Sequence, residues 1–342
     1  MRDVMSVADF EHADFALAAA SARSASEPTL SALRLLCVLF AHGGAPLTAV
    51  RLDGVRALLR TLDTLTKAEQ AKYMHASDST SLWAYGRFVA SLIEAEPRMR
   101  RASPPRPLVT AEGRRLHVVG DSHTLSYAWR SIRVGKEQCV LTPCLIPGLK
   151  AFHAVAAVAE QGGVHTAKGE RGRLLCKALA RIAAADGSGE RLDIIVSAGE
   201  IDTRDGIASA VRKGRYATIE DGAAATAALF VAALRELAPR NTRIVLLPVP
   251  PHARRAKKAG RYRARAKRRE CTAYFNAALR GAVGDDDPKL LFLDAFRDLV
   301  DPATTEAVLD PALRCDGSHT NALVVSILER HLRNSTKNTQ RI

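Results

Sequence analysis

Arg115-Leu116-His117-Val118-Val119-Gly120-Asp121-Ser122-His123-Thr124-Leu125-Ser126 is a short apolar run that stops abruptly and delivers a serine. Leu116 to Val119, with two adjacent valines closed by Gly120-Asp121, reads as a buried strand ending in a tight turn. Thr124 to Trp129 is then expected to begin a helix. A serine at a strand-to-helix turn lies near N–H groups that can hold a developing oxyanion, which suits a nucleophile. Taken alone, the stretch reads first as a helix cap, because Ser, Asp and Thr are favoured there in any case.

Working outward, four more apolar runs follow, Cys139 to Ile146, Leu192 to Ala198, Arg243 to Val249 and Leu290 to Leu293, with helical stretches between them. That alternation predicts an α/β fold, a parallel sheet flanked by helices. Ligands of such sheets bind beyond the carboxyl ends of the strands. Upstream, Arg98 to Pro107 is basic and carries three prolines, the mark of a linker. The expected organisation is a small all-α N-terminal domain over 1–97, a linker over 98–112 and the α/β domain over 113–342. Four or five helices are expected in the first, one of them with Leu33, Leu36, Cys37 and Phe40 on a single face and Gly43 as its stop. His42 and His75 are isolated there, and isolated histidines read as surface or packing residues.

The chain of 342 residues is 47% apolar, enough for a large core. Its formal charge of +14 suggests an anionic partner without naming one. Six cysteines are scattered without a CxxC or Cys/His cluster, so they read as reduced thiols, with no zinc site suggested. Asp3, Asp9, Glu11 and Asp14 give the N-terminus the wrong charge for a signal peptide, so a cytoplasmic location is expected. The strongest apolar run, Leu33 to Ala41, contains Arg34 and is too short to cross a bilayer.

The residues after each strand run are the candidates for chemistry. Ile146-Pro147-Gly148-Leu149 is a turn whose glycine can present a bare N–H, although an ordinary turn explains it as well. Ser197 to Arg204 crowds Glu200, Asp202 and Arg204 at a strand end, either as a solvated loop or as a binding edge. His252 follows the prolines after the fourth run, and Asp294 follows the fifth. Between His252 and Glu270 the run 254–269 is dominated by Arg and Lys. Such a run is ordinarily a solvated face; a docking surface for an anionic partner or a nucleic-acid arm are the alternatives, the last weakened by Tyr262 being its one aromatic. Near the end, Asp316 and His319 sit three apart on a turn, where a carboxylate can orient an imidazole and stabilise its protonated form. A helix is expected from about Ala322 to Arg333.

A serine hydroxyl needs a base and oxyanion donors before it attacks anything. His123, adjacent to Ser122, is unsuited to point back at it; His319 with Asp316 behind it is the better base. The order of Gly-Asp-Ser-His, a glycine turn, Gly-x-x-Asp and Asp-x-x-His resembles the SGNH/GDSL hydrolase superfamily, from Leu116 to the C-terminal helix. The resemblance implies a doubly wound, flavodoxin-like sheet of five parallel strands, Ser122 as nucleophile, His319 as general base and acid, Asp316 as its orienting carboxylate, and the N–H groups of Ser122 and Gly148 as oxyanion donors. The third block departs from the pattern, since Ile201 stands where the family has an asparagine donor. Losing one such donor costs roughly 3–4 kcal/mol of transition-state stabilisation unless another group replaces it. Arg204 is the candidate substitute, and Glu200 or Arg204 is expected to contact the substrate or buttress the turn. Asp121 is expected to brace the nucleophile turn, His123 to line the pocket or cap the helix, and Asp202 to belong to the same turn-bracing or pocket group.

The activity implied is a serine esterase or deacylase working through an acyl-enzyme on a small-molecule or glycan ester, with no metal or organic cofactor. An O-acyltransferase on the same residues, or a non-catalytic module holding an anionic polymer or glycan, are the rivals.

Overall fold

The apolar run ahead of Ser122 forms β1 (Arg114–Gly120), which sits inside the sheet between β3 (Glu137–Leu145) and β4 (Leu192–Ser197). Beyond β4 lie β5 (Thr242–Leu246) and β6 (Leu290–Phe292), and at the other edge lies β2 (Ser131–Val134). The pairs β3-β1, β1-β4, β4-β5 and β5-β6 are parallel, whereas β2 runs antiparallel to β3. The sheet is therefore mixed and six-stranded, not the all-parallel five-stranded sheet expected. The extra strand is an edge hairpin turned at Gly135-Lys136, with Gly135 at φ +60.

This computed structural model describes residues 88–89, 92, 114–161, 169–186, 189–253, 262–315 and 319–339. The chain divides into two compact units, Met1–Glu112 and Gly113–Ile342. Apart from the buried Phe88, Val89 and Leu92, the expected all-α region with His42 and His75 lies outside the described residues. So do the 98–112 linker, positions 254–261 of the basic run, and Asp316.

Alternation along the strands explains why the sheet is covered on both faces. Val119, Ile194, Val196, Ile244 and Leu246 enter one core with α1 (Ala151–Gln161), α2 (Glu170–Ala185), α4 (Ile219–Leu237) and α5 (Tyr262–Val283). Leu116, Val118, Ile195, Val245 and Leu247 enter the other with Val325, Leu328 and Leu332 of α6 (Val324–Thr339). Between β4 and α4 lies the short α3 (Ile207–Arg212).

From β1 the chain crosses to β3 on one side and then to β4 on the other, so the strand order reverses at β1. Crevices at such reversal points are where α/β sheets bind ligands. The segment entering that crevice corrects the expected helix over Thr124 to Trp129. It is a five-residue 3-10 helix, Ser122–Ser126, followed by a turn that ends with Trp129 at φ +58. The chain is pulled back by Trp129 N–H donating to Leu141 O (2.8 Å) and Leu141 N–H donating to Arg130 O (2.9 Å), which feeds it into β2. Ser122 therefore gains local N–H groups but no long helix dipole.

Candidate active site

Gly120, the last residue of β1, pairs with Ser197 at the end of β4. Next to it, Asp121 N–H donates to Ser197 O (3.1 Å) and the Asp121 carboxylate accepts from His123 N–H (3.0 Å). Asp121 O accepts from Thr124 N–H (3.1 Å) and Thr124 Oγ1 (2.9 Å). These bonds hold the turn so that Ser122 Oγ lies 2.9 Å from His319 Nε2, a contact between residues 197 apart in the chain. That is hydrogen-bond reach for a nucleophile and its base.

The loop bearing His319 is fixed to the turn bearing Ser122 by a residue that sequence reasoning missed. Ser126 Oγ donates to Thr320 O (2.7 Å) and accepts from Thr320 Oγ1 (3.1 Å), while Cys315 N–H donates to His319 O (2.9 Å). Ser126 lies four residues past Ser122 in the stretch first quoted, but only contact with the distant Thr320 discloses its task. His123 is buried, its ring centroid 5.0 Å from that of His319, so it packs beside that imidazole.

Next along the edge comes the turn after β3. Ile146 N–H donates to Gly120 O (2.7 Å), joining the two turns directly. Gly148 has φ +72, and a Cβ there would lie 3.1 Å from Arg171 Nε, so glycine suits both the backbone and the contact. Among the described residues nothing accepts from the N–H of Ser122 or of Gly148. Two bare donors on adjacent turns are what an oxyanion requires.

The third wall comes from β4. Gly199 has φ +109, and an added Cβ would meet Phe275 at 2.6 Å, so the chain passes tightly over α5. Ile201 is half-buried and precedes a π-helical turn, Asp202–Gly206; such turns recur at functional sites. The Asp202 carboxylate accepts from Ala151 N–H (2.8 Å), tying this turn to the start of α1. Glu200 receives Arg204 Nη1 on both oxygens (3.0 and 3.3 Å), and Arg204 Nε donates to Asp205 (2.9 Å). Arg204 Nη2 has no acceptor among the described residues. Arg268, from the basic run, reaches Asp205 at 3.6 Å, and Arg269 bonds Glu306 at 2.7 Å, so these two cations turn onto their own chain. Asp294, by contrast, pairs with Arg280, and His252 lies in a bridge with Val308.

Burial raises all three carboxyls here. Asp121 is pushed up to about 8 by desolvation, Glu200 is raised by burial against the pull of Arg204 and His319, and Asp202 is raised to about 6. The Asp121 value lies above its ordinary 3.8, so its contribution to folding is full below that pH and lost as pH rises toward 8. Asp121→Asn keeps a side-chain oxygen for His123 N–H and cannot ionise. Thermal melts should show the wild type losing stability from about pH 4 to 8, and the variant keeping its stability over that range. A variant whose melting profile parallels the wild type would place that pH dependence elsewhere.

No protein-family model matches the chain, and no curated protein matches it. Solved structures do. A GDSL-like lipase from Bacteroides thetaiotaomicron is 13% identical, over 74% of this chain and 99% of its own, with a TM-score of 0.38. A DUF4886 family protein from Bacteroides uniformis is 14% identical over 65% of this chain and 83% of its own, TM-score 0.38. A catalytic mutant of an acetylxylan esterase from Geobacillus stearothermophilus is 17% identical over 65% and 93%, TM-score 0.30. Among the described residues, no helix is long and apolar enough to cross a membrane, and no group of three or more His, Cys, Asp or Glu could hold a metal ion.

Proposed function

We propose that this chain is an SGNH/GDSL-type serine hydrolase acting on ester bonds through an acyl-enzyme. The observation that carries the reading is the 2.9 Å contact of Ser122 Oγ with His319 Nε2 beside two unengaged N–H groups. Ser122 Oγ attacks the ester carbonyl while His319 Nε2 takes its proton. The oxyanion draws on the N–H of Ser122 and Gly148. His319 then returns the proton to the leaving alcohol, and the collapsing carbonyl leaves the acyl group on Ser122. Water, deprotonated by the same imidazole, attacks the acyl carbonyl; the acyl–Ser122 bond breaks, His319 returns the proton to Ser122 Oγ, and the acid leaves. Asp316 is assigned as the carboxylate orienting His319, from its position three residues upstream. An acyl group on a carbohydrate is the preferred substrate; a sugar hydroxyl replacing water in the last step would make the same site an O-acyltransferase.

A fluorophosphonate probe tests this directly. Wild type should label and Ser122→Ala should not; absence of label on wild type, together with no turnover of 4-nitrophenyl acetate, would favour a binding module on this scaffold.

Arg204 is the proposed substitute for the asparagine that Ile201 displaces, because among the described residues its Nη2 has no acceptor while Nη1 and Nε are held by Glu200 and Asp205. Removing a transition-state donor from such sites costs on the order of a hundredfold in turnover. Arg204→Ala should approach that loss, and steady-state kinetics showing unchanged turnover and unchanged KM would remove Arg204 from the substrate's surroundings. The variant also strips the guanidinium from the half-buried Glu200, so its stability should fall by about 1 kcal/mol, a figure reduced because Arg204 is 34% exposed.

A further inference from the structure

The turn after β3 carries more positive charge than an oxyanion donor needs. Arg171, in the first turn of α2, is held by its Nε donating to Pro147 O (2.8 Å), with the guanidinium laid over Gly148. The approach is set by packing, since Gly172 brings α2 so near α1 that a Cβ would lie 2.2 Å from His153 O. Lys150 follows Gly148 by two residues, and its N–H donates to His153 Nδ1 (3.0 Å). Among the described residues neither the Lys150 ammonium nor the Arg171 guanidinium makes an ion pair, the neighbouring Glu170 included. Both cations bear on His153, whose pKa is lowered to about 4 by burial first and by Arg171 and Lys150 after it. With Nδ1 accepting from Lys150, the single proton of the neutral ring is on Nε2, so His153 too presents a donor. Asp202 is the acid facing this group, and its carboxylate is engaged by Ala151 N–H.

Three donors, two of them unpaired cations, thus surround the glycine turn that borders Ser122. Phe152 beside them is 48% exposed, an apolar ring at the same rim. We propose that Lys150, His153 and Arg171 form a subsite for an anionic group, carboxylate or phosphate, carried by the ester substrate next to its scissile bond. The proposal rests on the esterase reading of Ser122 and narrows its substrate to acidic esters. A planar guanidinium held at one edge leaves its other N–H groups aligned for two oxygens, and an ammonium alongside supplies point charge.

The test is selectivity. Rates with 4-nitrophenyl hydrogen succinate and with the neutral 4-nitrophenyl butyrate are compared for wild type, Lys150→Gln, Arg171→Gln and Arg171→Glu. The ratio of kcat/KM, succinate over butyrate, should fall roughly tenfold in each glutamine variant and further on charge reversal. Lys150→Gln leaves the Arg171–Pro147 bond in place, so a ratio that falls there is not a consequence of a disturbed turn. A ratio unmoved in all three variants overturns the proposal.

Calorimetric titration of Ser122→Ala with succinate and with inorganic phosphate at low salt reads the subsite without turnover. Saturable binding that weakens in Ser122→Ala/Lys150→Gln supports it, and the tighter of the two ligands identifies the anion. If wild type cleaves neither ester while Ser122→Ala binds, the esterase reading fails and the subsite stands; if neither ester is cleaved and neither anion binds, the subsite is overturned.

Discussion

His319→Ala should lower turnover of an activated ester such as 4-nitrophenyl acetate by roughly four orders of magnitude or more. At neutral pH the Ser122 hydroxyl holds its proton, and the Nε2 atom 2.9 Å away is the acceptor placed to take it. The residual rate would come from the Ser122 and Gly148 N–H groups, which survive the substitution. Nucleophile and base act as a unit, so Ser122→Ala/His319→Ala should be little slower than either single variant. That non-additivity separates a shared catalytic role from two independent packing defects. The fold should be largely unaffected, because His319 is only half-buried and the Ser126–Thr320 bonds that fasten its loop remain. Urea unfolding alongside the kinetics makes the distinction, and a His319→Ala protein that retains wild-type turnover would remove His319 from the chemistry.

The sequence was legible where a residue's task follows from its immediate neighbours. The runs at 116–119, 139–146, 192–198, 243–249 and 290–293 are apolar and rich in Val, Ile and Leu, and a strand lies in each. Ser131-Ile132-Arg133-Val134 was passed over because only its alternate residues are apolar, as suits an edge strand with one face on α6. The Gly135-Lys136 pair ahead of Glu137 was its available signal. Ser122 and His319 were readable as a pair through motif order, although only the sheet brings them together. The short 3-10 turn after Ser122 was not, because Leu141 and Arg130 override a locally helical composition. Arg171 was beyond reach for a different reason. Its place over Gly148 depends on the approach of α1 and α2 at Gly172, a tertiary fact with no local signature.

Gly120→Ala should damage both fold and site, because the strand end that delivers the serine has no room for a methyl group. A Cβ there would lie 1.8 Å from Ser197 O and 3.1 Å from Thr124 Cγ2. The first of these is a backbone oxygen in the middle of the sheet, already accepting from Asp121 N–H at 3.1 Å, so no side-chain rotation relieves the overlap. The strands β1 and β4 must separate locally, which weakens that bond and the bond from Ile146 N–H to Gly120 O (2.7 Å). Destabilisation of roughly 3 kcal/mol or more is expected in urea unfolding. The molecules that still fold should also be slow. Gly120 O anchors the turn bearing Gly148, and Asp121 N–H anchors the turn bearing Ser122, so one added methyl shifts both proposed oxyanion donors relative to His319. A displacement near 1 Å costs on the order of a hundredfold in rate. Kinetics normalised to the folded fraction would then show kcat falling further than unfolding explains. Wild-type kcat in the folded fraction would mean that the nucleophile turn is positioned independently of the β1–β4 junction.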